Sequence, residues 1–289
     1  MTRKHTNLDD FSASTSSWRE GERITSAANA SIKLLRSLDR KKARADSGLF
    51  VTEGERLVRE ALDNGWTPRI LLVGDEALMR GHTVETIDRA HKAGARILLT
   101  SARLLGAVSK KDNPQTLIAA FQQRDLTLGS FATNGPRRWI ALYEVRDPGN
   151  LGTIVRTADA AGVDGVILVG QCCDPFAVET VRATMGSLFS TPLARATPKD
   201  FLDWRAAAGA RLAAASINGD RRHDAADYGD KSVVLMGNEQ AGLPPEMEAA
   251  CDVLVRIPMR GAADSLNLAQ ATAVMTYEVW RDRGYDDGA

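Results

Sequence analysis

Three short segments in the C-terminal half constrain this chain more than any other feature. They read LYEVRDPGNLGTIVRTADAAG (residues 142–162), VVLMGNEQAGLP (233–244) and VRIPMRGAADSLNLAQA (255–271). Each sets an apolar run of strand type against a turn rich in Gly, Pro, Asn and Ser. The first and third then open an alanine-rich helix. Strands that alternate with helices demand a parallel sheet covered on both faces. Open sheets of this kind bind ligands at the carboxyl ends of their strands. The polar residues of the three turns are therefore the first candidates for a site.

The remaining runs extend this pattern over the 289 residues, a length suited to two domains. Residues 1–22 are polar and rich in Ser and Thr, and read as a disordered tail. A small α/β domain is expected over 23–122. Its helices are a first one from Ile24, with Ala27, Ala28, Ile32, Leu35 and Leu38 at helical spacing, then 56–64 and 84–93. Its strands are 49–51, 69–73, 96–99 and 117–121. The Gly- and Pro-bearing stretch 123–138 reads as a linker. A second α/β domain is expected over 139–289, with strands at 139–143, 165–169, 211–215, 233–236 and 253–257. Helices are expected at 151–161, 177–188, 201–207 and 266–281.

Composition narrows the function classes. Lys plus Arg and Asp plus Glu both number 37, so no global field marks a nucleic-acid partner, and any such partner must be met by a local patch. Cys172, Cys173 and Cys251 are too few and badly spaced for a disulfide framework or a zinc site, which points to a reducing, cytoplasmic setting. No apolar stretch reaches the roughly 18 residues of a membrane span, and the polar N-terminus lacks a signal-peptide core. No G-x-G-x-x-G follows the first strand of either domain, which disfavours a nicotinamide-dependent dehydrogenase.

Within the turns, Asp147-Pro148-Gly149-Asn150 is a turn and a cap, with Asn150 placed to accept from the first free amides of the helix that follows. Arg156 lies six residues on, about 600° around the helix, and so projects from a different face. The glycines of Gly237-Asn238-Glu239-Gln240-Ala241-Gly242 permit close backbone approach by a ligand. Ser265 is expected to cap a last helix beginning Leu266-Asn267. Each of these also has a plain structural reading, as a turn, a cap, a solvated carboxylate or, for Met259, core filler.

Taken together and in this order, the three segments resemble the SpoU (TrmH-like) family of RNA ribose methyltransferases, over about 140 residues from Trp139 to Arg281. The stretch VETVRATMGSLF (178–189) is also similar to that family, with Glu179 a departure where relatives often carry a lysine. The stretch LFVTEGERLVREAL (49–62) resembles part of the small ribosomal-protein-like α/β domain that many such enzymes carry in front. The resemblance implies a C-terminal parallel-sheet methyltransferase domain tied in a deep trefoil knot, S-adenosylmethionine bound in a bent shape, and a homodimer.

By position, the resemblance implies cofactor contacts from Gly237, Ile257 and Leu266, with Met259 nearby. Arg156 is assigned to the ribose 2′-hydroxyl, with Asn150, Glu239, Ser265 and Asn267 orienting it, the ribose or the loops. The final helix, through Leu268, Val274, Tyr277 and Trp280, is a candidate for the subunit contact. Lys33, Arg36, Arg40, Lys41, Lys42 and Arg44 form a basic cluster against one acid, Asp39, and are expected to meet RNA phosphates. No metal is called for. The expected substrate is large-subunit ribosomal RNA; transfer RNA, or a non-catalytic RNA-binding protein keeping this fold, are the alternatives.

Overall fold

Strand-forming runs separate into two sheets. The computed structural model describes residues 17–109, 115–124 and 126–285. The N-terminal module comprises β1 (Glu22–Ile24), α1 (Ala30–Ser37), α2 (Lys41–Ser47), β2 (Leu49–Glu53), α3 (Glu55–Asp63), β3 (Pro68–Gly74), α4 (Gly81–Lys92), β4 (Arg96–Thr100), α5 (Ala102–Ser109) and β5 (Leu117–Gln122). Its sheet has the order β1-β4-β3-β5-β2, with β5 antiparallel to both neighbours.

The C-terminal module comprises β6 (Arg137–Tyr143), α6 (Pro148–Ala160), β7 (Gly165–Val169), α7 (Val178–Ala183), β8 (Leu193–Ala196), α8 (Pro198–Ala208), β9 (Arg211–Ala215), β10 (Arg221–Arg222), β11 (Lys231–Met236), α9 (Pro245–Ala249), β12 (Val253–Arg256) and α10 (Leu268–Asp282). Its strands lie in the order β10-β12-β9-β11-β6-β7-β8, all parallel. Alternate side chains go to opposite faces, and both faces are covered. Ile140, Leu142, Val166, Leu168, Val234 and Met236 pack with Leu151, Ile154 and Val155 of α6 and Met275 and Val279 of α10. Trp139, Ala141, Ile167, Val169, Val233 and Leu235 pack with Phe201 of α8 and Met247 of α9.

The two modules share one core. Phe50, Leu57, Trp66 and Phe121 continue into Phe176 and Phe189. The Phe50 and Phe176 ring centres are 4.9 Å apart, and the Trp66 indole N–H donates to the Phe189 carbonyl at 3.0 Å. The Arg44 side chain, 4% exposed, donates to Asp174 Oδ2 from Nε (3.0 Å) and Nη2 (2.7 Å), and from Nη1 to the carbonyls of Leu38 (2.9 Å) and Asp39 (2.8 Å). One guanidinium thus closes the corner between α1 and α2 and ties it to the loop after β7. This overturns its expected place in the RNA-facing cluster, because its donors are spent inside the protein.

Several expected boundaries move for identifiable reasons. The tail over 1–22 is not wholly disordered: residues 1–16 lie outside the described residues, but Trp18 is buried, its indole donating to Asp88, and β1 pairs with β4. Ile24 is therefore a strand residue. The first helix waits for Asn29, whose side chain accepts from the Ser31 amide, and Ala27 and Ala28 stay exposed. The 123–138 linker is packed rather than free. Phe131 is buried edge-on against Trp204, filling the space that a Cβ on Gly165 would enter at 2.6 Å, and the Arg195 amide donates to the Leu126 carbonyl at 3.0 Å. The helix expected over 177–188 stops at Ala183, because Met185 and Gly186 take positive φ (54° and 111°). The elements α5, β8, β10 and α9 had no sequence counterpart.

Candidate active site

The carboxyl ends of β12, β9, β11 and β6 lie side by side, and the chain leaves each through a turn. The turn after β11 is the tightest. A Cβ on Gly237 would sit 2.4 Å from the Gly242 carbonyl carbon and 2.7 Å from the Leu243 nitrogen, so only glycine fits there. Asn238 and Gly242 exchange backbone hydrogen bonds of 2.9 and 3.0 Å, and Gly242 takes φ 67°. The Asn238 side chain accepts from the Gln240 and Ala241 amides and donates to the Glu144 carbonyl at 2.8 Å. The loop is thereby held rigid before any ligand arrives.

On one side of this loop lies a cavity of about 460 Å³. Gly237, Ile257, Met259 and Leu266, the four residues expected at a cofactor, all line it, together with Glu239 and Ser265. Its size suits a nucleoside-bearing ligand, and its rim exposes apolar side chains of Met259, Leu266 and Ile217, the last 84% exposed. These residues fit S-adenosylmethionine: apolar walls for the adenine and methionine carbons, and a glycine turn giving access to backbone groups.

The segment Ser216–Asn218 and Glu248 also line the cavity and were missed from sequence. A signal existed, since Ser-Ile-Asn-Gly after β9 repeats the strand-then-turn pattern of the other three segments. The Ser216 amide donates to the Val255 carbonyl at 2.9 Å, and a Cβ on Gly219 would sit 2.5 Å from the Val255 carbonyl carbon, so this segment lies tightly on β12.

The polar residues of the three segments form one network. The Glu239 carboxylate accepts from the amides of Arg146 (3.2 Å) and Asp147 (3.1 Å) and from Asn150 Nδ2 (3.3 Å). Asn150 Oδ1 in turn accepts from Asn267 Nδ2 at 3.0 Å. Partial burial acts to raise the Glu239 pKa, but the backbone and Asn150 hydrogen bonds outweigh it and hold the carboxyl below its usual range.

Two caps differ from expectation. Asp147, not Asn150, caps α6, its Oδ1 accepting from the Asn150 amide at 2.6 Å. Asn267, not Ser265, caps α10, its Oδ1 accepting from the Ala269 amide at 2.9 Å, so that helix begins at Leu268. In both places the side chain best placed for the helix amide takes the cap. Asn150 is left to face Glu239 and Asn267.

Arg156 stands apart. It is exposed on α6, as is Thr153, has no hydrogen-bond or ion-pair partner among the described residues, and does not line the cavity. Lys33, Arg36, Arg40, Lys41 and Lys42 are exposed on α1, α2 and the turn between them. On α10, Val274 and Tyr277 are exposed, whereas Leu268 is buried against the sheet and Trp280 is half-buried.

Known proteins resemble this chain over most of its length. The SpoU rRNA Methylase family model matches residues 137–277, and the MRM3-like substrate binding domain model matches residues 29–119. The 23S rRNA (guanosine(2553)-2'-O)-methyltransferase RlmP of Bacillus subtilis is 30% identical over 258 residues, covering 89% of this chain and 99% of its own. The 23S rRNA (uridine(2479)-2'-O)-methyltransferase of Streptomyces viridochromogenes is 31% identical over 252 residues, covering 85% and 87%. The solved structure of an AdoMet-bound rRNA methyltransferase from Sinorhizobium meliloti matches with a TM-score of 0.84 and 42% identity, covering 91% of this chain and 98% of that one. Segment order, parallel sheet, cavity and full-length likeness agree: the chain belongs to the SpoU rRNA methylase family.

Proposed function

We propose that the chain methylates a ribose 2′-hydroxyl of large-subunit ribosomal RNA, with S-adenosylmethionine as donor. One observation carries this reading: all four residues expected at the cofactor line one cavity, and that cavity shares Glu239 with the Asn150–Glu239–Asn267 network. The donor brings an already activated methyl on a positively charged sulfur. The protein's task is then to position the ribose and assist loss of its proton, and positioning alone lowers such barriers by up to about 7–11 kcal/mol.

Arg156 is the group we assign to the 2′-hydroxyl and its neighbouring phosphate. Its guanidinium favours alkoxide character at the oxygen electrostatically. Service as a literal base is demanding, because arginine stays protonated to a pKa above about 12. Asn150, Glu239 and Asn267 orient the loops around the ribose, and Ser265 faces the cavity beside them. The exposed cations of α1 and α2 are read as phosphate contacts.

Val274 and Tyr277, exposed on α10, support a homodimer to whose contact this helix contributes. The tight seating of the Ser216–Gly219 turn on β12 supports the trefoil knot. An RNA substrate and three free cysteines fit a cytoplasmic setting.

The purified protein is expected to bind S-adenosylmethionine and to methylate ribosomal RNA. Ribose-methylation mapping with and without the gene identifies the nucleotide. Arg156→Ala is expected to lose transfer while keeping cofactor affinity. Intact transfer in that variant removes Arg156 from its role.

A further inference from the structure

A second cavity, of about 750 Å³, opens on the other side of the 238–242 loop. Tyr143, Glu144, Arg146, Pro148 and Pro244 line this cavity and not the cofactor cavity, and the 238–242 loop, Gln240 included, is the wall the two share. We infer that this cavity is an RNA subsite that holds the unstacked base of a nucleotide next to the one methylated. The inference rests on the proposed RNA substrate and goes beyond it by placing a specific part of the strand.

Position along the sheet is the first argument. The strand order runs β12-β9-β11-β6-β7. The cofactor cavity occupies the ends of β12, β9 and β11, and the second cavity spans β11 and β6. Beyond β7, Asp174 anchors Arg44 at the root of α2, where Arg40, Lys41 and Lys42 are exposed. RNA held on those cations and presenting a ribose to the cofactor cavity must pass the second one. With strands about 4.8 Å apart, the centres of the two cavities lie about one and a half strand spacings from each other, roughly 7 Å. That is the reach of a neighbouring nucleotide.

The lining chemistry is the second argument. Tyr143 and the two prolines offer flat apolar surface, and aromatic side chains stack any base. The exposed Gln240 side chain can both donate and accept. Glu144, Asp147 and Glu239 make the walls rich in acceptors, so a base with an exocyclic amino group suits them and a phosphate does not. Arg146 is 60% exposed and, among the described residues, its side chain is paired with Glu144, at 3.0 Å. Exposed pairs of this kind are weak, so its guanidinium can turn to the phosphate outside the cavity.

The third argument is strain. Glu144 takes φ 49°, a left-handed conformation unusual for a non-glycine residue, and its carbonyl is held there by Asn238. This kink turns the chain sharply as it leaves β6, and so sets where Arg146 and Asp147 lie relative to the Tyr143 side chain at the strand end.

The test uses the full-length protein and a ribosomal RNA fragment carrying the mapped site. Tyr143→Leu is expected to raise KM for the RNA about tenfold, the scale of a lost base stack, with kcat and S-adenosylmethionine affinity close to wild type. An abasic nucleotide beside the target is expected to cause the same loss in wild type and little further loss in Tyr143→Leu. If no abasic substitution on either side of the target affects wild-type KM, the subsite is refuted while the methyltransferase reading stands, and that arm decides the matter even if the variant folds poorly. If the wild type methylates no ribosomal RNA, the underlying reading itself falls.

Discussion

Arg44→Ala separates a structural role from an RNA-binding one. In the folded protein the guanidinium is buried, bonds the Asp174 carboxylate through two nitrogens, and satisfies the Leu38 and Asp39 carbonyls. Removing one partner of a buried ion pair costs about 3–5 kcal/mol, because the other charge stays desolvated and uncompensated. Two bared carbonyls add to this, at about 1–3 kcal/mol for each that water cannot reach. Two contacts soften the loss at Asp174. The Phe176 amide donates to its Oδ1 at 3.0 Å, and Arg195 lies 3.9 Å away. The net expectation is a destabilisation of about 3–4 kcal/mol. Urea unfolding reads it directly: with a slope near 3 kcal/mol per molar, the midpoint falls by about 1 M. A changed slope would show the two modules unfolding separately, as expected if this corner helps hold them together. Arg44→Lys should recover less than half, since an ammonium lacks the planar fork that reaches a carboxylate and two carbonyls at once. A stability within about 1 kcal/mol of wild type, with weakened RNA binding, refutes this reasoning and restores Arg44 to the RNA-facing cluster.

Gly237→Ala forces a Cβ to within 2.4 Å of the Gly242 carbonyl carbon. Calorimetry should show S-adenosylmethionine affinity lost by at least about tenfold, with only the 1–3 kcal/mol stability cost typical of overpacking. Glu239 titrates below its usual range in the folded protein, so its stabilising effect is fully present above the unfolded pKa of about 4.3 and is lost as pH falls through the lower folded value. The stability difference between wild type and Glu239→Gln should therefore be steady near neutrality and vanish in acid, and a difference that grows in acid reverses the sign and defeats the assignment. Asn267→Ala should cost about 1 kcal/mol through loss of the α10 cap. Ser265→Ala should stay within about 0.5 kcal/mol in thermal unfolding, and the opposite ranking would return the cap to Ser265.

Where local pattern and tertiary demand coincide, the fold was legible. The strands β7 and β9 fall where the apolar runs put them, because the central residues of a parallel sheet are buried on both faces and tolerate no polar interruption. The helix α3 likewise follows its amphipathic spacing, with Leu57, Val58 and Ala61 buried. What stayed illegible was decided by distant partners. Nothing near Trp18 in sequence announces Asp88, yet that contact orders the segment leading into β1. Arg44 is one cation among six in the chain order, and only Asp174, 130 residues away, distinguishes it from its neighbours.

The site shows the same division at finer grain. Asp147 and Asn150 are both good capping residues, as are Ser265 and Asn267, and local chemistry does not choose between the members of either pair. The choice follows from what the remaining side chain must do. Glu239 needs donors from the chain after β6, so Asn150 is spent on it and Asp147 takes the cap. Asn267 serves both ends at once, because its oxygen caps α10 while its amide nitrogen reaches Asn150, 117 residues earlier. The three turns are thus separate signals in the sequence and a single hydrogen-bonded unit in the fold. A residue-type pattern can nominate such a unit. Only the parallel ordering of β12, β9, β11 and β6 brings its members within hydrogen-bonding distance.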